Sequence, residues 1–247
     1  RIIREGARNI AVIGRGEEGC VRIGIFSSLA SGFLSELLRS YHEKYSMVRV
    51  DFLDGNPAEH IAAIRQLRLD VAFVTGTGAW TDCETMHLWS ERVFAVLPGE
   101  HSLALKDELT WEDLTEERFI VSHGPPGPEV HDYLVQRLAD LGRHPDIHLQ
   151  NVGRDNLLRL VAFGRGLTLT SEATTAAQFP GVAYRPIAGE VLPFSAVWSA
   201  RNDNPAFRRL LGLARSMARA SDAKDFSFPA SAEPLRAALL RSPDQSP

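Results

Sequence analysis

The chain has 247 residues, of which 44% are hydrophobic and 23% charged, and its formal net charge is −4. This composition is typical of a soluble globular protein and excludes a mostly disordered or fibrous chain. Because 31 acidic residues outnumber 27 basic ones, the chain has no basic footprint that would bind nucleic acid by bulk charge. No apolar run is long enough to span a membrane, so we expect no membrane partner.

The first half of the chain alternates between strand-like and helix-like patterns. Residues 1–14 carry a short apolar stripe, which predicts the end of a linker helix over residues 1–19 whose start lies outside the chain. Apolar strands alternating with amphipathic helices follow. They cover residues 21–26, 33–45, 48–53, 58–68 and 70–74. This order of strand, helix, strand, helix and strand predicts a parallel sheet flanked by helices.

The same alternation resumes later in the chain. The predicted strands cover residues 92–97, 119–122, 147–150, 167–170, 182–186 and 194–198. The predicted helices cover residues 129–141, 155–163 and 204–220. The tail, residues 221–247, is rich in Ala, Ser, Pro, Asp and Arg, and we expect it to be poorly ordered.

Residues that bind metals in other proteins form no recognisable motif here. Cys20 and Cys83 are far apart, and Pro145 interrupts any helix that would align His144 with His148. We therefore expect no metal and no other cofactor. Two isolated cysteines fit a reducing compartment, so we expect a cytoplasmic protein.

Several stretches of the chain, taken in order, resemble the effector-binding domain of LysR-type transcriptional regulators. The first is VRIGI at 21–25, followed by FLSELL at 33–38, VRV at 48–50, LDVAF at 69–73, AVLP at 95–98, LTWEDL at 109–114 and LVAFGRGLTL at 160–169. No single stretch is specific, but the ordered set is. The resemblance extends over about residues 20–220.

The resemblance implies an α/β, two-lobed fold like that of type 2 periplasmic binding proteins, with a mostly parallel, helix-flanked sheet in each lobe. Residues 20–97 and 192–220 would form the first lobe, and residues 98–191 the second. A small effector would lie in the cleft between them, at the carboxyl ends of strands. LysR-type regulators begin with a winged helix-turn-helix, which this chain lacks. We therefore expect any contact with DNA to be made by a helix-turn-helix outside it.

The candidate effector-binding residues lie where predicted strands end or helices begin. They are Ser27, Ser28, Leu29, Asn56, Thr75, Ser122, His123, Gly153, Arg154, Thr170 and Phe194. Hydroxyls and backbone N–H groups at such places can bind an anion, and Arg154 is the candidate counter-charge.

Each of these residues also has a structural interpretation. A serine here can simply cap the following helix, and Asn56 can mark only a turn and a helix start. A lone histidine such as His123 is more often structural than a ligand contact. An aromatic residue at position 194 is more often packed at the hinge than stacked on a ligand.

We therefore predict a small-molecule sensor that is not an enzyme and that forms a homodimer or tetramer. The resemblance implies antiparallel dimers through helices 33–45 and 129–141. The few charges in the predicted cleft suggest a small organic acid or a neutral metabolite as the effector. Two other functions stay open. A solute-binding protein of a transport system would need a signal peptide, and an enzyme on the same fold would need paired acids or a nucleophile in the cleft.

Overall fold

The computed structural model describes residues 18–26 and 28–225, and of residues 221–225 it describes only the backbone. This part of the chain contains eight β-strands and five α-helices. The strands are β1 (Gly19–Ile25), β2 (Val48–Asp54), β3 (Val71–Thr75), β4 (Glu84–Pro98), β5 (Arg118–Ser122), β6 (Asp146–Gln150), β7 (Thr168–Ser171) and β8 (Val182–Trp198). The helices are α1 (Gly32–Lys44), α2 (Pro57–Arg65), α3 (Gly127–Ala139), α4 (Arg154–Ala162) and α5 (Pro205–Asp225). Residues 1–17 of the predicted linker helix lie outside the described residues. Gly19, the last residue of that prediction, belongs to strand β1.

The first lobe is built on the parallel strands β1, β2 and β3, as the alternation predicted. They lie in the order β2-β1-β3, with β1 paired to both neighbours. Helix α1 buries Leu34, Leu37 and Tyr41, because residues three and four positions apart share one helical face. Helix α5 packs into the same core through Phe207 and Leu210.

The second lobe is built on β5, β6 and β7. Strands β5 and β6 pair in parallel, and a bridge between Phe119 and Leu167 joins β5 to the segment that leads into β7. The core of this lobe contains Phe119, Leu134, Leu138 and Leu169. Helices α3 and α4 follow β5 and β6 in the same way that α1 and α2 follow β1 and β2.

Strands β4 and β8 connect the two lobes. They are antiparallel partners from Glu84 opposite Trp198 to Pro98 opposite Val182, and the six-stranded sheet has the order β2-β1-β3-β8-β4-β7. The sequence analysis divided β8 into strands 182–186 and 194–198. The structure has one strand because β4 supplies hydrogen-bond partners to both parts. The residues between them bulge, and Gly189 takes the positive φ of 71° that this turn requires.

The side chains around the first crossing divide between the two lobes earlier in the chain than the predicted boundary between residues 97 and 98. Leu88 and Trp89 belong to the core of the first lobe, whereas Val93 to Leu97 supply residues to the cores of the second. We therefore propose a first crossing at residues 90–92, in place of the predicted boundary. On the return crossing, Leu192 packs against both lobes.

Helix α5 is longer than predicted. It continues to Asp225, so residues 221–225, which we expected to be poorly ordered, are helical. These residues contain no helix breaker, and the first proline after them is Pro229. Residues 226–247 of the predicted tail lie outside the described residues. Over the described part of the chain, no helix has the length and apolar character needed to cross a membrane.

Candidate functional site

A cavity of about 600 Å³ lies between the two lobes, a size that suits a small organic molecule. The last residues of the three parallel strands of the first lobe, Ile25, Asp54 and Thr75, all line it. Ligands of open α/β sheets bind at the carboxyl ends of strands, because the loops and helix starts that follow strands face one side of the sheet. From the second lobe, the end of β5, the starts of α3 and α4, and strand β7 complete the wall.

The structure brings eight of the eleven predicted site residues to this cavity. They are Ser28, Leu29, Thr75, Ser122, Gly153, Arg154, Thr170 and Phe194. Ser27 lies outside the described residues. Asn56 and His123 do not line the cavity.

Asn56 is the cap of helix α2. Its side chain accepts a hydrogen bond from the Glu59 N–H at 2.8 Å, and the Glu59 carboxylate accepts one from the Asn56 N–H at 3.1 Å. This reciprocal pair is a capping box. The alternative given for Asn56, a helix start, is therefore realised, and its binding role stays a prediction.

His123 is exposed, and its backbone N–H donates to the Gln150 carbonyl at 2.8 Å. The residue extends the pairing of β5 and β6 beyond the strand ends, and its side chain stays outside the cavity lining. The sequence placed it correctly after a strand, but the direction of the loop decides which side chains reach the cavity.

Two of the lining hydroxyls take part in local hydrogen bonds. Ser28 Oγ accepts from the Ala30 N–H at 3.2 Å, as a residue before a helix commonly does. Ser122 Oγ donates to the Gly124 carbonyl at 2.7 Å and holds the turn that leads into α3. Neither bond caps a helix, because the N-cap residues are Ser31 for α1 and Pro126 for α3. The two serines therefore line the cavity without the capping role that the structural interpretation gave them.

Phe194 is mainly part of the hinge. Its ring stacks on Trp89 with centroids 4.9 Å apart and planes 4° apart, and only 1% of the residue is exposed. Trp89 stacks in turn on Phe33, again at 4.9 Å. An aromatic stack of this kind stabilises the crossing of β4 and β8, and Phe194 also borders the cavity.

Arg154 is the positively charged residue of the described cavity lining. It begins helix α4, is exposed, and makes no hydrogen bond or ion pair with another described residue. Burial raises the pKa of the neighbouring Tyr184, and the charge of Arg154 partly offsets that rise. The guanidinium is therefore available to an acidic group of a ligand.

The sequence analysis missed two acidic residues and a tyrosine of the cavity wall. Asp54 ends β2, so the rule that selected Thr75 at the end of β3 would have found it. Glu129 and Tyr133 lie four residues apart on α3 and so share one face of that helix. No local pattern in the sequence distinguishes a wall residue from a core residue at Tyr133.

The Tyr133 side chain is held in place by Glu190, which lies in the bulge of β8. The Tyr133 hydroxyl donates a hydrogen bond to Glu190 Oε2, and burial together with this carboxylate raises the pKa of Tyr133 to about 12. The phenol therefore stays neutral at physiological pH. Within the described residues, no group of three or more His, Cys, Asp or Glu side chains is placed to hold a metal ion.

Comparison with known protein families gives a match over most of the chain. The model of the LysR substrate binding domain matches residues 14–219. The HTH-type transcriptional regulator TtuA of Agrobacterium vitis is 26% identical over 200 residues, which cover 78% of this chain and 66% of TtuA. XapR of Escherichia coli K12, also an HTH-type transcriptional regulator, is 25% identical over 204 residues, which cover 82% of this chain and 69% of XapR. The chain thus spans about two thirds of the length of these relatives.

Solved structures agree with this fold. The effector-binding domain of BenM with its effector benzoate superposes with a TM-score of 0.70 at 21% identity, covering 86% of this chain and 96% of that domain. At this level of identity the likeness concerns the fold. It supports the arrangement of two α/β lobes around a cleft.

Proposed function

The chain belongs to the LysR substrate-binding domain family, the effector-binding part of LysR-type transcriptional regulators, and from this we propose that its effector is a small molecule bound in the cavity between the lobes. The observation that carries the proposal is the cavity of about 600 Å³ whose wall is shared by both lobes. A ligand that contacts both lobes stabilises one arrangement of them over another. The size of the response is limited by the ligand's difference in affinity for the two arrangements.

Control of transcription is proposed for a longer protein that contains this domain. The relatives that the chain matches over about two thirds of their length are transcriptional regulators, not enzymes. DNA contact would come from a helix-turn-helix outside the residues that match the family. We place this activity in the cytoplasm, where transcriptional control takes place.

Self-association as a homodimer or tetramer stays part of the proposal. We expect it to involve the exposed faces of α1 and α3. Charged substitutions at Leu37 or Tyr133 would not test self-association, because they would disturb the lobe itself. Leu37 is fully buried in its own lobe, and the Tyr133 hydroxyl is hydrogen-bonded to Glu190. Substitutions at exposed positions such as Arg39 and Asp132 are suitable, because their side chains face outward.

The experiment that tests cavity binding uses a variant that fills the cavity. Gly153 lines the cavity, has an extended backbone with φ of −74°, and a Cβ added there meets nothing within 4 Å. Gly153→Trp should therefore fold and occupy ligand space. Gly212→Trp is the matched control, because Gly212 is exposed on α5 and also has open space around it.

The midpoint of thermal unfolding is measured for the three proteins against a panel of carboxylic acids, amino acids, amines, sugars and nucleobases. A ligand present at about 100 times its Kd adds about 2.7 kcal/mol to the stability. We expect at least one compound to stabilise the parent and Gly212→Trp but not Gly153→Trp. A compound that stabilises all three equally binds elsewhere and contradicts the proposal, as does a panel without any response.

A further inference from the structure

The backbone of Ala173 in the second lobe is held by two side chains from outside that lobe. Ala173 follows β7, and its carbonyl accepts a hydrogen bond from the Ser31 hydroxyl at 2.9 Å. Its N–H donates to Glu91 Oε2 at 3.1 Å. Ser31 stands at the start of α1 in the first lobe, and Glu91 lies in β4 where the chain passes between the lobes. Both hydrogen-bonding groups of Ala173 are therefore engaged across the boundary between the lobes.

The Ser31 hydroxyl is not used in the way that its position in the chain predicts. Ser31 is the N-cap residue of α1, and a serine there usually accepts a hydrogen bond from an N–H of the first helical turn. Its side chain makes no capping bond and donates to Ala173 instead. The next residue, Gly32, lies at the same contact, because a Cβ added to it would be 3.6 Å from the Ala173 Cβ. The start of α1 is thus docked directly on the second lobe.

The Glu91 carboxylate joins the two lobes through its two oxygens. Glu91 is only 5% exposed. Oε1 accepts from Nε1 of Trp89, a core residue of the first lobe, at 2.8 Å, and Oε2 accepts from the Ala173 N–H. A buried carboxylate depends on such donors, because removing it from water without them is costly. Moving one lobe away from the other would separate Glu91 from one of these donors, so the two bonds together favour one arrangement of the lobes.

These contacts lie directly beside the cavity. Ser171 and Thr174, on either side of Ala173, line it from the second lobe. Ser28, three residues before Ser31, lines it from the first lobe. A change in the contact between Ser31 and Ala173 would therefore change the spacing of the two cavity walls.

We propose that Ser31, Glu91 and Ala173 form an inter-lobe clasp, which holds the lobes in the arrangement of this structure and sets the width of the cavity. Ser31 and Glu91 are positioning residues, since they act on the cavity walls without lining the cavity. The inference rests on the proposed function in treating this cavity as the effector site. Opening the clasp lowers the fraction of the protein in the binding arrangement, and the apparent affinity for an effector falls in proportion.

The test measures the distance between the lobes in the ligand-free protein. Cys20 and Cys83 are replaced by serine, and nitroxide spin labels are attached to the substitutions Met47→Cys in the first lobe and Leu105→Cys in the second. Met47 and Leu105 are 68% and 89% exposed, so labels there disturb little. Double electron–electron resonance then gives the distribution of distances between the labels. Dilution into unlabelled protein suppresses signals between copies of the chain.

Two variants in this labelled background open the clasp. Ser31→Ala removes the donor to the Ala173 carbonyl, and α1 loses no cap because this hydroxyl does not cap it. Glu91→Gln keeps the shape of the side chain but replaces one of its two acceptor oxygens with an NH2 donor. The amide therefore cannot accept from both Trp89 and Ala173 in the way the carboxylate does.

The matched controls are Ser216→Ala and Glu43→Gln, which remove contacts of the same kind within one helix. The Ser216 hydroxyl donates to the Gly212 carbonyl in α5, and Glu43 pairs with Arg39 in α1. We expect the parent to give one narrow peak of distances. Both clasp variants should broaden this peak at least about two-fold, because a second arrangement of the lobes becomes populated. Both controls should keep the width of the parent.

Several results would overturn the inference. One is a clasp variant that folds, as judged by thermal unfolding, and keeps the distance distribution of the parent, because its contact is then only local. Another is a parent distribution as broad as those of the clasp variants, and a third is equal broadening in the controls. If Glu91→Gln does not fold, Ser31→Ala decides alone, because it removes a single hydrogen bond of a partly buried side chain. The proposed function is decided separately by the Gly153→Trp comparison, which needs no spin labels.

Discussion

The carboxylate of Glu190 accepts a hydrogen bond from the indole Nε1 of Trp111 at 2.8 Å, although the two residues are 79 positions apart. Arg137 stands 2.9 Å from the same carboxylate, and the Tyr133 hydroxyl donates to it. Glu190 lies in the bulge of β8, so this carboxylate ties one of the two crossing strands to helix α3 and to the cavity wall. On the other crossing strand, the buried Glu91 accepts from Trp89 Nε1 at 2.8 Å.

Removing the Glu190 carboxylate should destabilise the protein. Glu190→Ala leaves the donors of Trp111, Tyr133 and Arg137 without their acceptor, which costs about 1–3 kcal/mol of unfolding free energy. Urea unfolding of the variant checks this. Glu172→Ala is the control, because the ion pair of Glu172 with Arg92 is exposed and is worth at most about 1 kcal/mol. Equal losses in the two variants would contradict the role assigned to Glu190.

Tyr133 should make stability depend on pH in the alkaline range. Burial first and Glu190 second raise its pKa to about 12, whereas an unfolded tyrosine titrates near pH 10. A raised folded pKa means that the stabilisation is fully present below about pH 10 and is lost as the pH rises towards about 12.

Urea unfolding of the parent and Tyr133→Phe between pH 8 and pH 11 measures this effect. The parent's advantage over the variant should be constant up to about pH 10 and then shrink, because the variant lacks the titrating phenol. An advantage that stays the same at pH 11 would show that Tyr133 titrates alike in the folded and unfolded chain.

Gly127 should tolerate no side chain. A Cβ added there would lie 1.7 Å from the carbonyl oxygen of Ser122, so the turn between β5 and α3 would have to move. We expect Gly127→Ala to lower the free energy of unfolding by about 1–3 kcal/mol. Gly124→Ala, in the same turn but with nothing within 4 Å, should change it by no more than about 0.5 kcal/mol. Thermal or urea unfolding of both variants decides between these expectations.

The hydroxyl of Tyr41 should stabilise the contact of α1 with α5. It donates to the Ala206 carbonyl at 2.8 Å, and Tyr41 is fully buried. Tyr41→Phe keeps the ring and removes this hydrogen bond, which costs about 0.5–1.5 kcal/mol in urea unfolding. Tyr45→Phe is the control, because the Tyr45 hydroxyl makes no hydrogen bond with the described residues. A loss in the control as large as that of Tyr41→Phe would indicate a general effect of the substitution.

The sequence by itself determined the elements that short-range patterns encode. The apolar spacing over residues 33–45 predicted an amphipathic helix, and α1 does bury Leu34, Leu37 and Tyr41, because a helix places residues three and four apart on one side. The order of strands and helices predicted the parallel sheet of the first lobe, and the ordered motifs indicated the family that the comparison then showed. The rule that sites lie at strand ends selected eight residues of the cavity wall.

Only the tertiary structure decided what depends on distant partners. β8 is one strand because β4 pairs with it on both sides of the bulge. Val93 packs in the core of the second lobe because its neighbours lie there. The role of Glu190 is equally non-local, since it is defined by Trp111, 79 residues away. Periodicity records which face of an element is apolar, but hydrogen-bond partners and the walls of a cavity are set by how the elements pack.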